Sequence, residues 1–199
     1  MNGQTALTPQ AQTINQLIAQ RRSVFTSQFE PGKTIPDDII QQLLYNANQA
    51  PTHKLTEPWR FTVYSGNGLQ TLADQQAAIY KAHAGQKFKQ GKYDSLLITP
   101  MLCSHAIAIG MKRHADIPEM EEIAAVACAV QNIYLTATAY GIGGYWSTGG
   151  ITFFEQAKAM FNLGPDDKLM GFFYLGYVRV PSAPRIPKPI EEKVSWVRE

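Results

Sequence analysis

The stretch PEMEEIAAVACAVQNIYLTATAYG, residues 118–141, decides the fold of this chain. Glu119, Glu121 and Glu122 stand in its first turn, where carboxylates interact favourably with the N-terminal end of a helix dipole. Gly141 is a typical residue just after a helix C-terminus. About 24 residues at 1.5 Å each predict a helix roughly 36 Å long, with apolar side chains on nearly every face. Such a helix must lie in the middle of the molecule or across a subunit interface.

Helical signals also precede this segment. Thr8 followed by Pro9 opens a helix that ends at Arg21-Arg22. Pro36 opens a second helix, which stops at Ala50-Pro51. The polar residues 69–93 predict one or two further helices.

Strand signals alternate with the helical ones. Residues 59–64 (WRFTVY) combine β-formers with a period of two, and residues 168–178 form a long apolar strand. The apolar run 100–108 also favours a strand. Residues 152–162 favour a short helix, and the glycines of 141–144 are interpreted as the C-terminal cap of the long helix.

Length and composition favour one domain over residues 1–199, with an extended, proline-rich C-terminal arm from about residue 181. The net charge of +2 comes from 18 basic and 16 acidic side chains that are interspersed, so a nucleic acid partner is not expected. The N-terminal residues lack the pattern of a signal peptide, and the longest apolar stretch, 123–139, is too short and too polar for a membrane span. We therefore expect a cytoplasmic protein without a membrane partner.

Several common active sites are excluded by spacing. The four histidines, His53, His83, His105 and His114, form no pair with metal-ligand spacing, so no metal site is expected. No serine has the GxSxG context of a hydrolase. Cys103 and Cys128 share no CxxC motif and lie in apolar runs, which predicts inert buried thiols.

Two segments concentrate groups that could bind a ligand. Arg21, Arg22 and Ser23 combine two guanidinium groups and a hydroxyl that could hold a phosphate, although cations at a helix C-terminus also have a purely structural explanation. The loop from Ala50 to Phe61 lies between a helix and a strand, where binding groups are common. By itself, its Trp59 is more typical of a core residue.

Taken in order, these motifs resemble the nitroreductase family over about residues 14–197. The resemblance is carried by Arg21-Arg22-Ser23, APTH at 50–53, PWRF at 58–61, AVQN at 129–132, AYGIG at 139–143 with Trp146, GF at 171–172 and LGY at 175–177. It implies an α+β fold with a central mixed, mainly antiparallel sheet flanked by helices, in an intertwined homodimer.

The resemblance also implies one FMN at each of two clefts in the dimer interface. Arg21, Arg22 and Ser23 would contact the phosphate and ribityl chain of FMN, and Lys188 of the arm would also contact the phosphate. Thr52 and His53 would lie in a loop that reaches the FMN of the opposite subunit. Trp146, Ser147 and Thr148 would lie in a turn against the flavin ring. No side-chain acid or nucleophile is expected, because the flavin performs the chemistry. NAD(P)H would reduce the flavin at N5, and a nitroaromatic or quinone-like acceptor would then be reduced in ping-pong order.

Some positions depart from the family's pattern. Leu55 and Glu57 stand where many members have Asn and Gln, and Phe25 stands where many have a basic residue. With Phe25, this chain lacks the cation that those members place near N1 and O2 of the flavin. Another group, such as Lys54 or backbone donors, has to supply the positive charge there. Two alternatives stay open: a related flavoenzyme that catalyses reductive dehalogenation or flavin fragmentation, and a dimer without turnover.

Overall fold

The structure, a computed structural model, describes residues 6–198 of the chain. Its helices are α1 (Pro9–Gln20), α2 (Asp37–Ala47), α3 (Asn67–His83), α4 (Gln90–Ile98) and α5 (Glu119–Ala139); its strands are β1 (Trp59–Ser65), β2 (His105–Met111), β3 (Ile142–Ser147) and β4 (Lys168–Tyr177). The predicted helices before residue 50 and the strands at 59–64 and 168–178 are thereby confirmed. Residues 69–93, expected to form one or two helices, hold most of α3 and the start of α4, which continues to Ile98.

The strands form one sheet in the order β1-β2-β4-β3, and every strand pair in it is antiparallel. A parallel bridge between Ser23 and Gly144 continues the pairing beyond β3. The predicted mainly antiparallel sheet of an α+β fold is confirmed.

Successive residues of the two central strands, β2 and β4, pack into two different hydrophobic cores, one on each face of the sheet. Ile107 of β2 and Phe173 of β4, which are register partners, pack with α2 and α5 on one face. Ala108 and Phe172, also register partners, pack with α3 and α4 on the other. Because successive side chains of a strand point to opposite faces, both faces are covered and the sheet is the middle of three layers.

Helix α5 confirms the long helix predicted from residues 118–141, and Gly141 follows it with φ of +68°. One side of α5 packs in the core, while a stripe on the opposite side is exposed in the single chain: Met120, Ala124, Cys128 and Gln131. The prediction of a buried Cys128 is therefore wrong for this chain by itself, because the residue lies on the outer side of the helix. Cys103 is half-buried, and its thiol donates a hydrogen bond to the Pro100 carbonyl at 3.0 Å.

Three other sequence predictions need correction. The run 100–108 is not one strand: it begins in a 3-10 turn, Thr99–Leu102, and β2 starts only at His105. Pro100 favours the first turn of a helix because its φ is fixed and it has no N–H to donate. The helix predicted at 152–162 is a 3-10 segment, Glu155–Phe161. Residues 142–147 are a strand, where the sequence suggested only a cap followed by a turn, because β4 and Ser23 pair with both of its edges.

Beyond β4 the chain becomes an exposed arm. Its only regular element within the described residues is a 3-10 turn, Ile190–Lys193. Apolar side chains along the arm face solvent in the single chain, including Ile186, which is 93% exposed. That residues 1–199 form one domain stays a prediction. Among the described residues, no helix has the length and hydropathy to cross a bilayer.

Candidate functional site

Tyr134 of α5 connects two of the predicted site segments. Its hydroxyl accepts the backbone N–H of Trp146 at 2.9 Å and lies 3.4 Å from Ser23 Oγ. The Arg21 guanidinium carbon lies 5.0 Å from the centre of the Tyr134 ring, in cation-π geometry. Arg21, Ser23 and Trp146, far apart in sequence, are therefore brought together around one buried aromatic side chain.

Arg21 and Arg22 play different roles at the end of α1. Arg22 donates from Nη1 to the carbonyl oxygens of Ala19 (2.7 Å) and Arg21 (2.8 Å), which caps the helix. Within the described chain, no hydrogen bond from the Arg21 guanidinium accompanies its stacking on Tyr134. Arg21 thus keeps its donors free for an anion, whereas Arg22 Nη1 has a structural role at the helix end. A flavin contact of Arg22 stays a prediction.

Ser23 is held by backbone pairing at the edge of the sheet. Val24 N–H donates to the Gly144 carbonyl at 2.9 Å, and the Ser182 hydroxyl donates to the Ser23 carbonyl at 2.9 Å. The start of the C-terminal arm therefore fixes the segment that carries Arg21 and Ser23.

The predicted ring contacts lie at the end of β3 and just after it, and they border two different cavities. Trp146 and Thr148 line a cleft of about 430 Å³ together with Ile123 of α5, and Trp146 Nε1 donates to the Met170 carbonyl at 3.0 Å. Ser147 lines a second cavity, of about 340 Å³, on the α3 and α4 side. The three residues lie in and just after a strand, so the turn expected at Trp146 is wrong, and they border both cavities.

Thr52 and His53 lie elsewhere in the same chain. The Thr52 hydroxyl is 3.0 Å from that of Thr56, and His53 Nδ1 is 3.3 Å from Glu121 Oε2, at the N-terminal end of α5. Thirteen residues at 1.5 Å each separate Glu121 from Tyr134, which is about 20 Å along the helix. One chain does not bring His53 together with Arg21.

The loop that carries His53 is conformationally unusual. Lys54, Leu55 and Glu57 all have positive φ, at 50°, 55° and 44°. Such backbone is unfavourable for residues with a Cβ other than Asn and Asp, and it tends to occur at binding sites. The departure at Leu55 thus falls where the family's Asn would be conformationally preferred.

Lys188 lies on the exposed arm, six residues beyond the Ser182 anchor. Its carbonyl accepts a hydrogen bond from Lys193 Nζ at 3.0 Å. Within residues 6–198, its ammonium group makes no hydrogen bond to Ser23. Its phosphate contact stays a prediction.

Sequence reasoning missed two kinds of residue. Tyr134 could have been suspected, since it places a phenol among the small residues of α5. Gln76 and Lys92, which line the second cavity, come from α3 and α4 and carry no motif. Within residues 6–198 there is also no cluster of three or more His, Cys, Asp or Glu side chains that could hold a metal ion.

The fold and the ordered site segments define a family of proteins. The family model described as the nitroreductase family matches residues 18–177, and the chain belongs to this family. The resemblance inferred from the motifs is confirmed.

Individual relatives are more distant. The chain is 27% identical over 176 residues to YdjA of Escherichia coli (strain K12), a protein named as an NAD(P)H nitroreductase by assignment. The match covers 87% of this chain and 93% of YdjA. The nitroreductase-like family protein of Bacillus cereus has a similar structure, with a TM-score of 0.81 and 24% identity over 98% of this chain and 100% of that one. A nitroreductase of Desulfovibrio desulfuricans in complex with FMN has a TM-score of 0.70 and 21% identity, and the match covers 98% and 99% of the two chains.

Proposed function

We propose that this chain is an FMN-dependent NAD(P)H oxidoreductase that works as a homodimer in the cytoplasm and reduces nitroaromatic or quinone-like acceptors in ping-pong order. The observation that carries the proposal is the grouping of Arg21, Ser23 and Trp146 around Tyr134, at the edge of the sheet and the flank of α5. The FMN complex of the Desulfovibrio neighbour and the name of YdjA support the cofactor and the reductant.

The residues present fit FMN. Arg21 offers a guanidinium group whose donors are free for a phosphate, and Ser23 offers a hydroxyl. Gln76 lines the same cavity as Ser147, and its buried amide nitrogen has no hydrogen-bond partner among the described residues, as expected near a group that supplies an acceptor. Bound FMN would accept hydride from NAD(P)H and pass electrons to the acceptor.

The protein's own contribution is positional and electrostatic. Arg21 binds the phosphate end, and Ser23 the ribityl chain. Tyr134 holds the backbone of Trp146, which aligns the strand end against the ring. The open cleft beside Trp146 and Thr148 admits reductant and acceptor in turn, because no lid separates it from solvent in the described chain.

A second copy completes the site. A two-fold axis perpendicular to α5 at its exposed stripe makes two α5 helices antiparallel, so the N-terminal end of one lies beside the C-terminal half of the other. The partner's copy of His53, next to Glu121, would then lie near Arg21 and Tyr134. In this arrangement His53 and Arg21 meet across the interface, although about 20 Å along α5 separates their neighbours Glu121 and Tyr134 within one chain.

Mixed dimers test the shared site. Arg21→Ala and His53→Ala homodimers are each expected to lose FMN affinity, because each removes a contact from both sites. A mixed dimer of the two variants, isolated with two different tags, regenerates one unaltered site, since one subunit still supplies Arg21 and the other His53. We expect it to bind one FMN per dimer with wild-type affinity.

The controls are the two variant homodimers and a mixed dimer in which one subunit carries both substitutions and the other is wild type. That dimer has Arg21→Ala in one site and His53→Ala in the other, and should lack any wild-type site. If it bound FMN tightly and the first mixed dimer did not, each site would belong to a single chain. Steady NAD(P)H oxidation with a nitroaromatic acceptor separates the proposed reaction from dehalogenation, flavin fragmentation and a dimer without turnover.

A further inference from the structure

The second cavity, of about 340 Å³, has a distinctive lining. Ser147 at the end of β3 and Phe25, two residues after Ser23, both border it. These are the positions at which the family resemblance places the flavin ring and the basic residue beside its N1 and O2. The cavity therefore adjoins the expected place of the ring's pyrimidine edge.

Several side chains that can donate hydrogen bonds line this cavity. Gln76 is only 1% exposed, and its Nε2 has no partner among the described residues. Thr26, Ser95 and Tyr145, which carry hydroxyl groups, also line the space, and none of the described residues that line it is an acid. An unpaired buried donor is unfavourable unless something accepts from it. The lining suits a carbonyl-bearing, electron-rich edge.

Phe25 does not supply charge to this space. Its ring packs against that of Tyr145, with centroids 4.7 Å apart. Among the described residues, Lys92 of α4 is the only charged one that lines the cavity. Its Nζ would lie 3.9 Å from a Cβ placed on Gly149, close to the backbone that follows the predicted ring contacts.

We infer that Lys92 supplies the positive charge beside N1 and O2 of bound FMN, in place of the basic residue that this chain lacks at position 25. The inference rests on the proposed function. Two-electron reduction of a flavin places negative charge on this edge, and a preorganised cation stabilises that charge. Lys92 thereby favours reduction of the cofactor. Lys54, considered from the sequence alone, does not line this cavity in the described chain.

The test measures the two-electron midpoint potential of bound FMN and its affinity for sulfite, which adds to the ring and leaves negative charge on the same edge. Lys92→Met should lower the equilibrium constant for reduction at least tenfold, which is about 30 mV for two electrons. Its sulfite affinity should fall at least tenfold as well. Lys92→Arg, which keeps the charge, should stay within about threefold of wild type.

Lys89→Met removes an exposed lysine just before α4 and is the matched control. Phe25→Lys in the Lys92→Met background returns a cation to position 25 and should restore both values. A Lys92→Met protein that binds FMN with unchanged potential and sulfite affinity would overturn the role of Lys92 and leave the proposed function intact. A wild-type dimer that binds no FMN would overturn both.

Discussion

The hydroxyl of Tyr134 accepts the backbone N–H of Trp146 at 2.9 Å. This bond joins the middle of the long helix to the strand that follows it, and the same hydroxyl lies 3.4 Å from Ser23 Oγ. The ring of Tyr134 also stacks under Arg21. One side chain therefore sets the relative position of the proposed phosphate-binding segment and the proposed ring-binding segment.

Removal of the Tyr134 hydroxyl should loosen this connection. Tyr134→Phe leaves the Trp146 N–H without its acceptor, and we expect a loss of about 1–2 kcal/mol in the free energy of unfolding. Urea denaturation measures it. Tyr140→Phe is the matched control, because Tyr140 is exposed just after the same helix. Equal stability of the two variants would show that the bond contributes nothing.

The two arginines should differ in FMN binding. Arg21→Ala should weaken FMN binding about 10- to 150-fold, the equivalent of about 1.5–3 kcal/mol for one charged hydrogen-bond contact. Arg22→Ala should weaken it much less, because Arg22 donates to backbone carbonyls at the end of α1. Fluorescence titration with FMN measures both, with Arg179→Ala as a control. An Arg21→Ala protein that retains flavin fully would contradict the phosphate role.

Leu55 should be replaceable by Asn with a gain in stability. Its φ is 55°, and its side chain is 83% exposed, so little packing is lost. Asn tolerates this backbone region better than Leu, and we expect Leu55→Asn to raise the free energy of unfolding by about 0.5–1 kcal/mol. Leu55→Ala has no polar side chain to hydrogen-bond the local backbone at this φ and should give no gain. A thermal melt of both proteins compares them directly, and equal values would show that φ is not the cause.

The stability of the chain should fall below about pH 6.5 because of His105. Burial lowers the pKa of His105 from its usual 6.5, and Asp37, with Oδ1 3.4 Å from Nε2, opposes this shift only in part. The unfolded chain then takes up a proton that the folded chain resists, so that the free energy of unfolding decreases as the pH falls from 6.5 towards the folded pKa. The slope due to one such group is at most about 1.4 kcal/mol per pH unit.

Chemical denaturation at several pH values measures this slope. In His105→Gln, the free energy of unfolding should depend less on pH below 6.5 than in the wild type. We expect this variant to be less stable than the wild type at pH 8. His83→Gln removes an exposed histidine and should keep the wild-type slope. An unchanged slope in His105→Gln would mean that other groups cause the dependence.

The two cysteines report on the dimer. Burial raises the pKa of the Cys103 thiol to about 12, so its thiolate population at pH 8 is small and alkylation should be slow. Cys128 is exposed on α5 in the single chain. If α5 forms the dimer interface, native protein should be alkylated slowly at both positions and denatured protein rapidly. A Cys103→Ser variant isolates Cys128, whose rapid labelling in the native state would exclude this interface.

The elements of the fold could be predicted wherever their signals are local. The acidic first turn and Gly141 mark α5 within two residues at each end, and the apolar pattern of 168–178 marks β4. Strand β3 could not be predicted, because its glycines are poor strand formers and its pairing comes from β4 and Ser23, which are distant in sequence. The 3-10 segment 155–161 likewise depends on its packing.

For the site, the sequence by itself determined the ordered motifs, and with them the family, because Arg21-Arg22-Ser23 and the His53 loop can be recognised without coordinates. Only the tertiary structure decided which residues meet. It separated Arg21 from Arg22 by their hydrogen bonds, placed Tyr134 between Ser23 and Trp146, and brought Lys92 and Phe25 to the same cavity. The physical reason is that motifs are local in the chain, whereas a site is assembled by helices and strands whose side chains meet only after the sheet has formed.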